Sequence, residues 1–263
     1  MGTRYDKIGV GYNQTRKADP YLSERLYHHL SPLQNGLYLD IGCGTGNYTI
    51  ALSQKGLMID GIDPSIEMLK VARSKNSKIK WLQATAEDVP VATQSIDGII
   101  CSLTIHHWHD LSSAFKELHR VLKPKGKVVI FTSTPEQMKG YWLNHYFPKM
   151  LQDSIQQMPS EEVVLSAMKD VGFSNIVTEQ YNVKTDLQDL FLYAGKNYPK
   201  LYLDSQVRNG ISSFSSLANS EEVETGLEKL EEDISSNEIT KVIDWYSNEP
   251  GDYLYIIAEK RKK

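Results

Sequence analysis

The stretch Tyr38-Leu39-Asp40-Ile41-Gly42-Cys43-Gly44-Thr45-Gly46-Asn47 limits what this chain can fold into more than any other segment. An apolar run takes in an acid, then gives way to three glycines at alternate positions, and a helical pattern follows. Glycine reaches backbone angles that a Cβ obstructs, so this spacing predicts a tight strand-to-helix turn whose backbone lets a nucleotide come close.

Apolar periodicity places the neighbouring elements. Asp19-Pro20 opens a helix carrying Leu22, Leu26 and Leu30, and Ser31-Pro32 ends it. A strand over 37–41 leads into the glycine turn and a helix over 45–55, with Ile50, Ala51 and Leu52 inward and Gly56 as a left-handed stop. A strand over 57–62 follows, then a helix capped by Ser65 with Ile66, Leu69 and Ala72, then a short strand over 79–82. The run 96–103 is apolar throughout and predicts a strand buried on both faces. Leu111, Phe115, Leu118 and Leu122 mark one helix face, Pro124-Lys125-Gly126 breaks that helix, and 127–132 is a fifth strand. Alternating strands and helices of these lengths predict right-handed crossovers and a parallel sheet.

After Thr132 the pattern loosens into an aromatic-rich stretch, a helix over 160–171 and a strand over 173–183. A mostly helical run over 186–247 includes the face Val223, Leu227, Leu230 and Ile234, with a capping box at Asn219 and Glu222. The last strand covers 253–258. The connection between the final two strands is too long for a hairpin, so it reads as a helical cap over the carboxyl edge of the sheet. The chain therefore divides into an N-terminal flap and helix (1–34), a cofactor-binding core (35–134), an aromatic-rich insertion with a helix and the sixth strand (135–183), the cap (184–250), and the final strand with a basic tail (251–263).

Spacing also decides what the turn holds. A dinucleotide fingerprint needs a third glycine where Asn47 stands. Asp40 beside the turn is a poor neighbour for a polyphosphate and suits a ligand with a cationic amino group, which points to S-adenosylmethionine rather than NAD or ATP. Asp63, ending the second strand, reads either as an acceptor for ribose hydroxyls or as a helix cap before Pro64 and Ser65. The Ala86 N–H reads either as a donor to an adenine ring nitrogen or as part of a polar loop, Thr85-Ala86-Glu87-Asp88-Val89-Pro90.

Taken together, Leu39-Asp40-Ile41-Gly42-Cys43-Gly44-Thr45-Gly46, Asp63-Pro64-Ser65 with Met68-Leu69, Ala86-Glu87-Asp88-Val89-Pro90, Asp97 and Arg120-Val121-Leu122-Lys123-Pro124-Lys125-Gly126 resemble the class I S-adenosylmethionine-dependent methyltransferases. The nearest likeness is to the small-molecule branch that includes ubiquinone-biosynthesis-type enzymes. It runs from about Tyr5 through Thr132. The resemblance implies a Rossmann-like, doubly wound, mostly parallel sheet of seven strands, the last antiparallel, with the helical cap inserted. It implies that Asp40, Gly42 and Gly44, with Gly46 closing the turn, hold the methionine end. Asp63 and Pro64 would meet the ribose, Ala86 and Glu87 the adenine edge, and Ser102 would lie near the methionine. Thr85 stands where many relatives carry Asp, and Lys125 replaces a usual glycine. The segment from Tyr5 to Arg16 resembles a flap over the cofactor, in which Tyr12 or Arg16 meets the methionine carboxylate; a plain surface segment is the alternative.

Thr104-Ile105-His106-His107-Trp108-His109-Asp110 follows the fourth strand and puts imidazoles at the active edge. Either His107 is a general base facing the acceptor, with His106 second, or these histidines cap and pack the loop. Trp142 and Tyr146 in the aromatic insertion, and Tyr193 with Phe191 in the cap, either wall a pocket for a flat or greasy acceptor or form cap core.

Composition removes other classes. The chain of 263 residues has 40% apolar and 24% charged residues, as a globular protein does. Net charge −4 and pI about 6.0 give no basic surplus to hold nucleic acid, and the run 260–263 reads as a solvated tail. No apolar run approaches the ~20 residues that span a bilayer. The first residues lack a signal core, and Asp6 stands where a myristoylation motif needs Ser or Thr. Cys43 and Cys101, both in core segments, predict no disulfide, no metal site and a reducing, cytoplasmic setting. The expected activity is methyl transfer to an O, N or C atom of a small aromatic or apolar metabolite. A macromolecular or carrier-bound acceptor, or a non-catalytic cofactor-binding protein, are the alternatives.

Overall fold

Strands β1 (Leu37–Ile41), β2 (Met58–Asp63), β3 (Trp81–Gln83), β4 (Ile96–Ser102), β5 (Leu122–Thr132), β6 (Phe173–Tyr181) and β7 (Tyr253–Lys260) form one sheet in the order β3-β2-β1-β4-β5-β7-β6. The computed structural model describes residues 15–246 and 249–262. Strands β1 to β5 pair in parallel, and β7 runs antiparallel to both β5 and β6. The order reverses between β1 and β4, so the loops after these two strands diverge and leave a crevice at their carboxyl ends.

Period-two alternation assigns the two faces of the sheet. Ile100, Val129 and Phe131 belong to one core with Leu22, Leu26 and Leu30, while Ile99, Cys101, Val128 and Ile130 belong to the other with Phe115 and Leu118. Each such side chain, fully buried, contributes about 2 kcal/mol. Helix α1 (Pro20–Leu30) and α2 (Asn47–Gln54) cover the first face. On α2 the buried residues are Tyr48, Thr49 and Leu52, whereas Ile50 and Ala51 are only half-buried. Helix α3 (Ile66–Lys75), capped by Ser65 through the Met68 N–H, buries Met68, Leu69 and Ala72 but leaves Ile66 at the surface.

Helix α4 (Leu111–Val121) is capped by Asp110, whose carboxylate accepts from Ser113 N at 2.6 Å. Its apolar face ends at Val121. Leu122 is already extended and pairs with Ile96, so β5 starts earlier than the proline-glycine break suggests. The break survives as a register shift between Ile96 and Gly98, and Lys125 takes φ +67 there. Lys260 also departs from the solvated-tail reading. It is 8% exposed and its Nζ donates to the carbonyls of His119 (2.5 Å) and Leu122 (2.8 Å).

Helices α5 (Pro135–Lys139), α6 (Pro148–Gln157), α8 (Ser205–Asn209), α9 (Ser212–Ser216), α10 (Ser220–Ser235) and α11 (Ile239–Trp245) stack above the carboxyl ends of the strands, whereas α7 (Glu161–Asp170) packs on the second face of the sheet beside α4 and β6. Asn219 caps α10 through the Glu222 N–H at 2.8 Å, but Glu222 does not complete the expected box. Its carboxylate accepts instead from Lys149 N (2.6 Å) and Met150 N (3.1 Å), capping α6, which has no side-chain cap of its own. One carboxylate thus joins two helices more than seventy residues apart.

Candidate active site

Two cavities meet above the crevice. The first is lined by Arg16, Asp40, Gly42, Cys43, Gly44, Thr45, Asn47, Tyr48, Asp63, Pro64, Met68, Ser102, Leu103, Thr104, His107 and Asp189, and holds about 830 Å³ of space, part of it open to solvent. Asp40 and Asp63 arrive from the ends of β1 and β2, and Ser102 from the end of β4.

Two glycines shape the turn for different reasons. Gly42 has φ +74, and a Cβ there would lie 1.9 Å from Thr104 Oγ1, so packing forbids it. Gly44 has φ +53, yet a Cβ would meet nothing within 4 Å. The protein itself leaves that space open on the cavity side, where a ligand can approach the backbone. Gly46, at φ +77, packs against Trp81 and does not line the cavity. Lys75 pins the exit of the turn by donating to Thr45 O (3.1 Å) and Asn47 Oδ1 (2.7 Å), and burial brings its pKa down to about 8.

Asp40 is 2% exposed, and its carboxylate accepts from Thr49 Oγ1 at 2.6 Å. Burial raises its pKa to about 7, against the Thr49 hydrogen bond and with a further push from Asp63. Such a carboxylate lacks a cation, and a ligand ammonium would supply one. Asp63 makes the local turn contact at the start of the next helix. One oxygen accepts from Ser65 N (2.9 Å), the other from Gly44 N (2.8 Å), and the carboxylate still faces the cavity. Ser102 Oγ is buried and has no hydrogen-bond partner among the described residues. An open cradle at Gly44, a desolvated acid at Asp40 and an unpaired hydroxyl at Ser102 all fit the amino-acid end of the expected cofactor.

Arg16 also lines this cavity, but its guanidinium holds Asp189 through Nε (2.5 Å) and Nη2 (3.2 Å). Asp189 is buried and takes a third bond from Tyr48 OH at 3.1 Å. Asp19 accepts from Gln188 N, and Leu190 N donates to Thr15 O, so the segment 15–19 is tied to the cap. Tyr12 lies outside the described residues. Ala86 and Glu87 do not line the cavity. Ala86 packs in the core below it, and Glu87 accepts from His109 N (2.8 Å) and Asp110 N (3.4 Å), holding the loop after β4.

The second cavity lies between the strand ends and the cap and holds about 810 Å³, again partly open. Leu103, His106, His107 and Ser133 form its floor, α6 and α9 form its roof, and Met138, Phe191 and Tyr253 its apolar side. Arg16, Leu103 and His107 line both cavities. Leu103 has φ +53, an uncommon angle for leucine, fixed by its N–H to Phe131 O at 2.7 Å. The His106 and His107 rings sit 3.8 Å apart. His106 Nδ1 is buried without a partner among the described residues, and burial, seconded by His107, holds this imidazole well below the ordinary histidine value.

Trp142, Tyr146 and Tyr193 do not reach this cavity, contrary to the expected pocket wall. Tyr193 stacks on Tyr141 at 3.8 Å and accepts from Trp142 N, Trp142 Nε1 donates to Lys196 O, and Tyr146 OH donates to Asp233. Their polar tips are consumed inside the cap, so their rings are core. Phe191 alone of the aromatics singled out in the sequence faces the space. Asp189, Leu103 and Ser133 escaped the sequence reading. Leu103 and Ser133 directly follow β4 and β5, and the strand-end rule applied there would have found them.

Known proteins share this fold and part of this sequence. A family model described as a methyltransferase domain matches residues 39–130. The ubiquinone/menaquinone biosynthesis C-methyltransferase UbiE of Geotalea daltonii is 32% identical over 54% of this chain and 72% of its own length. A demethylmenaquinone methyltransferase of Chlorobaculum parvum is 30% identical over 51% of this chain and 64% of its own. The crystal structure of a putative methyltransferase from an antibiotic biosynthesis pathway of Anabaena variabilis superposes with TM-score 0.81 and 31% identity, covering 93% of this chain and 99% of that one. Among the described residues, no helix is long and apolar enough to cross a membrane, and no cluster of three or more His, Cys, Asp or Glu is placed to hold a metal.

Proposed function

The chain belongs to the class I S-adenosylmethionine-dependent methyltransferases, in the branch that acts on small molecules, and we propose that its acceptor is an aromatic or apolar metabolite methylated on O, N or C beneath the cap. The observation that carries this reading is the sharing of Leu103, His107 and Arg16 by two cavities, one lined by Asp40, Asp63 and Asp189, the other by no acid among the described residues. Chemistry between two ligands needs such a junction, because the reacting atoms must come within about 3 Å of each other.

S-adenosylmethionine, once bound, supplies an electrophilic methyl group on a sulfonium sulfur. Asp40 would take the amino group, Gly42 and Gly44 would let the backbone close on the amino-acid end, and Ser102 would satisfy its buried hydroxyl there. Asp63, with Pro64, would accept from ribose hydroxyls at the cavity wall. His107 would hold or take the proton that an acceptor hydroxyl or ammonium gives up, and His106, neutral across the physiological range, would orient the acceptor from beside it. With both ligands bound beneath the cap, exclusion of water would strengthen each of these electrostatic contacts. Relatives named for ubiquinone and menaquinone biosynthesis make quinone-sized aromatics the first class to examine.

Metabolite extracts incubated with methyl-labelled S-adenosylmethionine and resolved by mass spectrometry test the proposal. A labelled product of small apolar mass is expected. Label found only on protein or RNA would replace the small-molecule acceptor with a macromolecular one.

A further inference from the structure

The roof of the cap cavity carries a hydrogen-bond direction that restricts what can bind there. Ser154 on α6 and Ser213 on α9 both line the cavity, are 5% and 6% exposed, and lie with their hydroxyl oxygens 2.8 Å apart. Ser154 Oγ is also 2.9 Å from Met150 O. A hydroxyl has one proton, and a carbonyl can only accept. Only one assignment makes both bonds: Ser154 donates to Met150 O, and Ser213 donates to Ser154. The Ser213 proton is then spent, and what its oxygen retains for a ligand is lone pairs.

Charge restricts the ligand further. Among the described residues lining this cavity, Arg16 is the one fully ionised side chain, and its guanidinium is held by Asp189. Serines, a glutamine, two methionines and aliphatic and aromatic groups make up most of the remainder. A phosphate or other anion placed here would lose its water without gaining a dedicated cation among the described residues, which is costly.

We propose that the cavity selects an acceptor without an anionic group whose end nearest the cap carries a hydrogen-bond donor, an O–H or N–H, received by Ser213. The acceptor is thus bifunctional, with the methylated atom at the His107 junction and a donor at the roof. This rests on the reading of the cap cavity as the acceptor site and adds the polarity of its far end.

The test uses full-length protein saturated with S-adenosylhomocysteine, so that cofactor binding is established separately. Naphthol, methoxynaphthalene and naphthyl phosphate are titrated by calorimetry into wild type, Ser213→Ala and Ser154→Ala. In wild type, naphthol should bind about tenfold more tightly than methoxynaphthalene, the effect of leaving a buried acceptor unpaired, and naphthyl phosphate should bind weakest. In S213A the tenfold preference should shrink to about twofold. In S154A the freed Ser213 proton can donate, so methoxynaphthalene should bind more tightly than it does to wild type, a gain that mere damage to the pocket would not produce. Preference unchanged in S213A, naphthyl phosphate binding tightest, or no naphthalene binding to protein that still binds S-adenosylhomocysteine would each overturn the proposal. Failure to bind S-adenosylhomocysteine would instead overturn the methyltransferase reading beneath it.

Discussion

The two cavities are assembled in opposite ways. Most of the acidic cavity comes from the loops that follow β1, β2 and β4, where Asp40, Gly42, Gly44, Asp63, Ser102 and Thr104 each sit within a few residues of a strand end. The cavity beneath the cap draws on Arg16, on 103–107, on Ser133 and Met138, on α6, on 191–192, on 211–217 and on Tyr253. In the first, local sequence dictates both shape and chemistry. In the second, the shape exists only after distant segments pack. Changes in the turn should therefore act on cofactor binding with predictable sign, while changes in the cap should act first on stability.

Substitution within the turn gives the largest effect and separates its two glycines. Gly42→Ala should lower stability by about 3 kcal/mol, combining a left-handed alanine with a clash against Thr104. Gly44→Ala should cost only about 1 kcal/mol, from its backbone angle, yet weaken S-adenosylmethionine binding more than its stability loss explains. Denaturant unfolding beside calorimetry distinguishes them, and equal stability losses would erase the distinction between packing and ligand space.

Next in size is a pH effect. An amino group pairs with Asp40 only when the acid is ionised, and its pKa in the free protein is raised to about 7. The ionised fraction falls as pH falls through that value, so affinity for S-adenosylmethionine should drop about tenfold between pH 8 and pH 6. His107→Gln should keep this slope. A slope abolished in that variant would assign the titration to the imidazole instead.

The smallest effect lies in the cap. Tyr193→Phe removes the oxygen that accepts from Trp142 N and should destabilise by about 1 kcal/mol, with cofactor affinity unchanged. An altered acceptor affinity at unchanged stability would return Tyr193 to the cavity wall.

The same contrast explains what could be read in advance. The strand–turn–helix sequence and the ends of most strands follow from periodicity and from a motif confined to a few residues, and the antiparallel β7 from the family resemblance. Lys125 illustrates the limit, because a break in the helix pattern at Pro124-Lys125-Gly126 does not say whether the chain leaves the sheet or bulges within it. Glu222 shows the limit more sharply. Its spacing from Asn219 fits a local box, but α6 offers it unpaired N–H groups that no sequence window reveals. The aromatics failed for a related reason: a buried ring and a pocket ring look alike until the partners of Tyr193, Trp142 and Tyr146 are known. Ala86 and Glu87 sit at a strand-end loop, but their partners belong to the core and to the loop after β4.

The central claim, that the turn holds S-adenosylmethionine through Asp40, is tested most directly by titrating that ligand at pH 8 into wild type and Asp40→Asn. Because burial raises the folded-state pKa of this acid, ionising it costs stability as pH rises toward 8, and the uncharged amide of equal size removes that cost. The Tm of D40N should equal or exceed that of wild type, while its affinity for S-adenosylmethionine should fall at least about a hundredfold, as expected when a buried charge pair loses one member. Wild-type affinity in D40N, or binding of NAD in place of S-adenosylmethionine, would contradict the account.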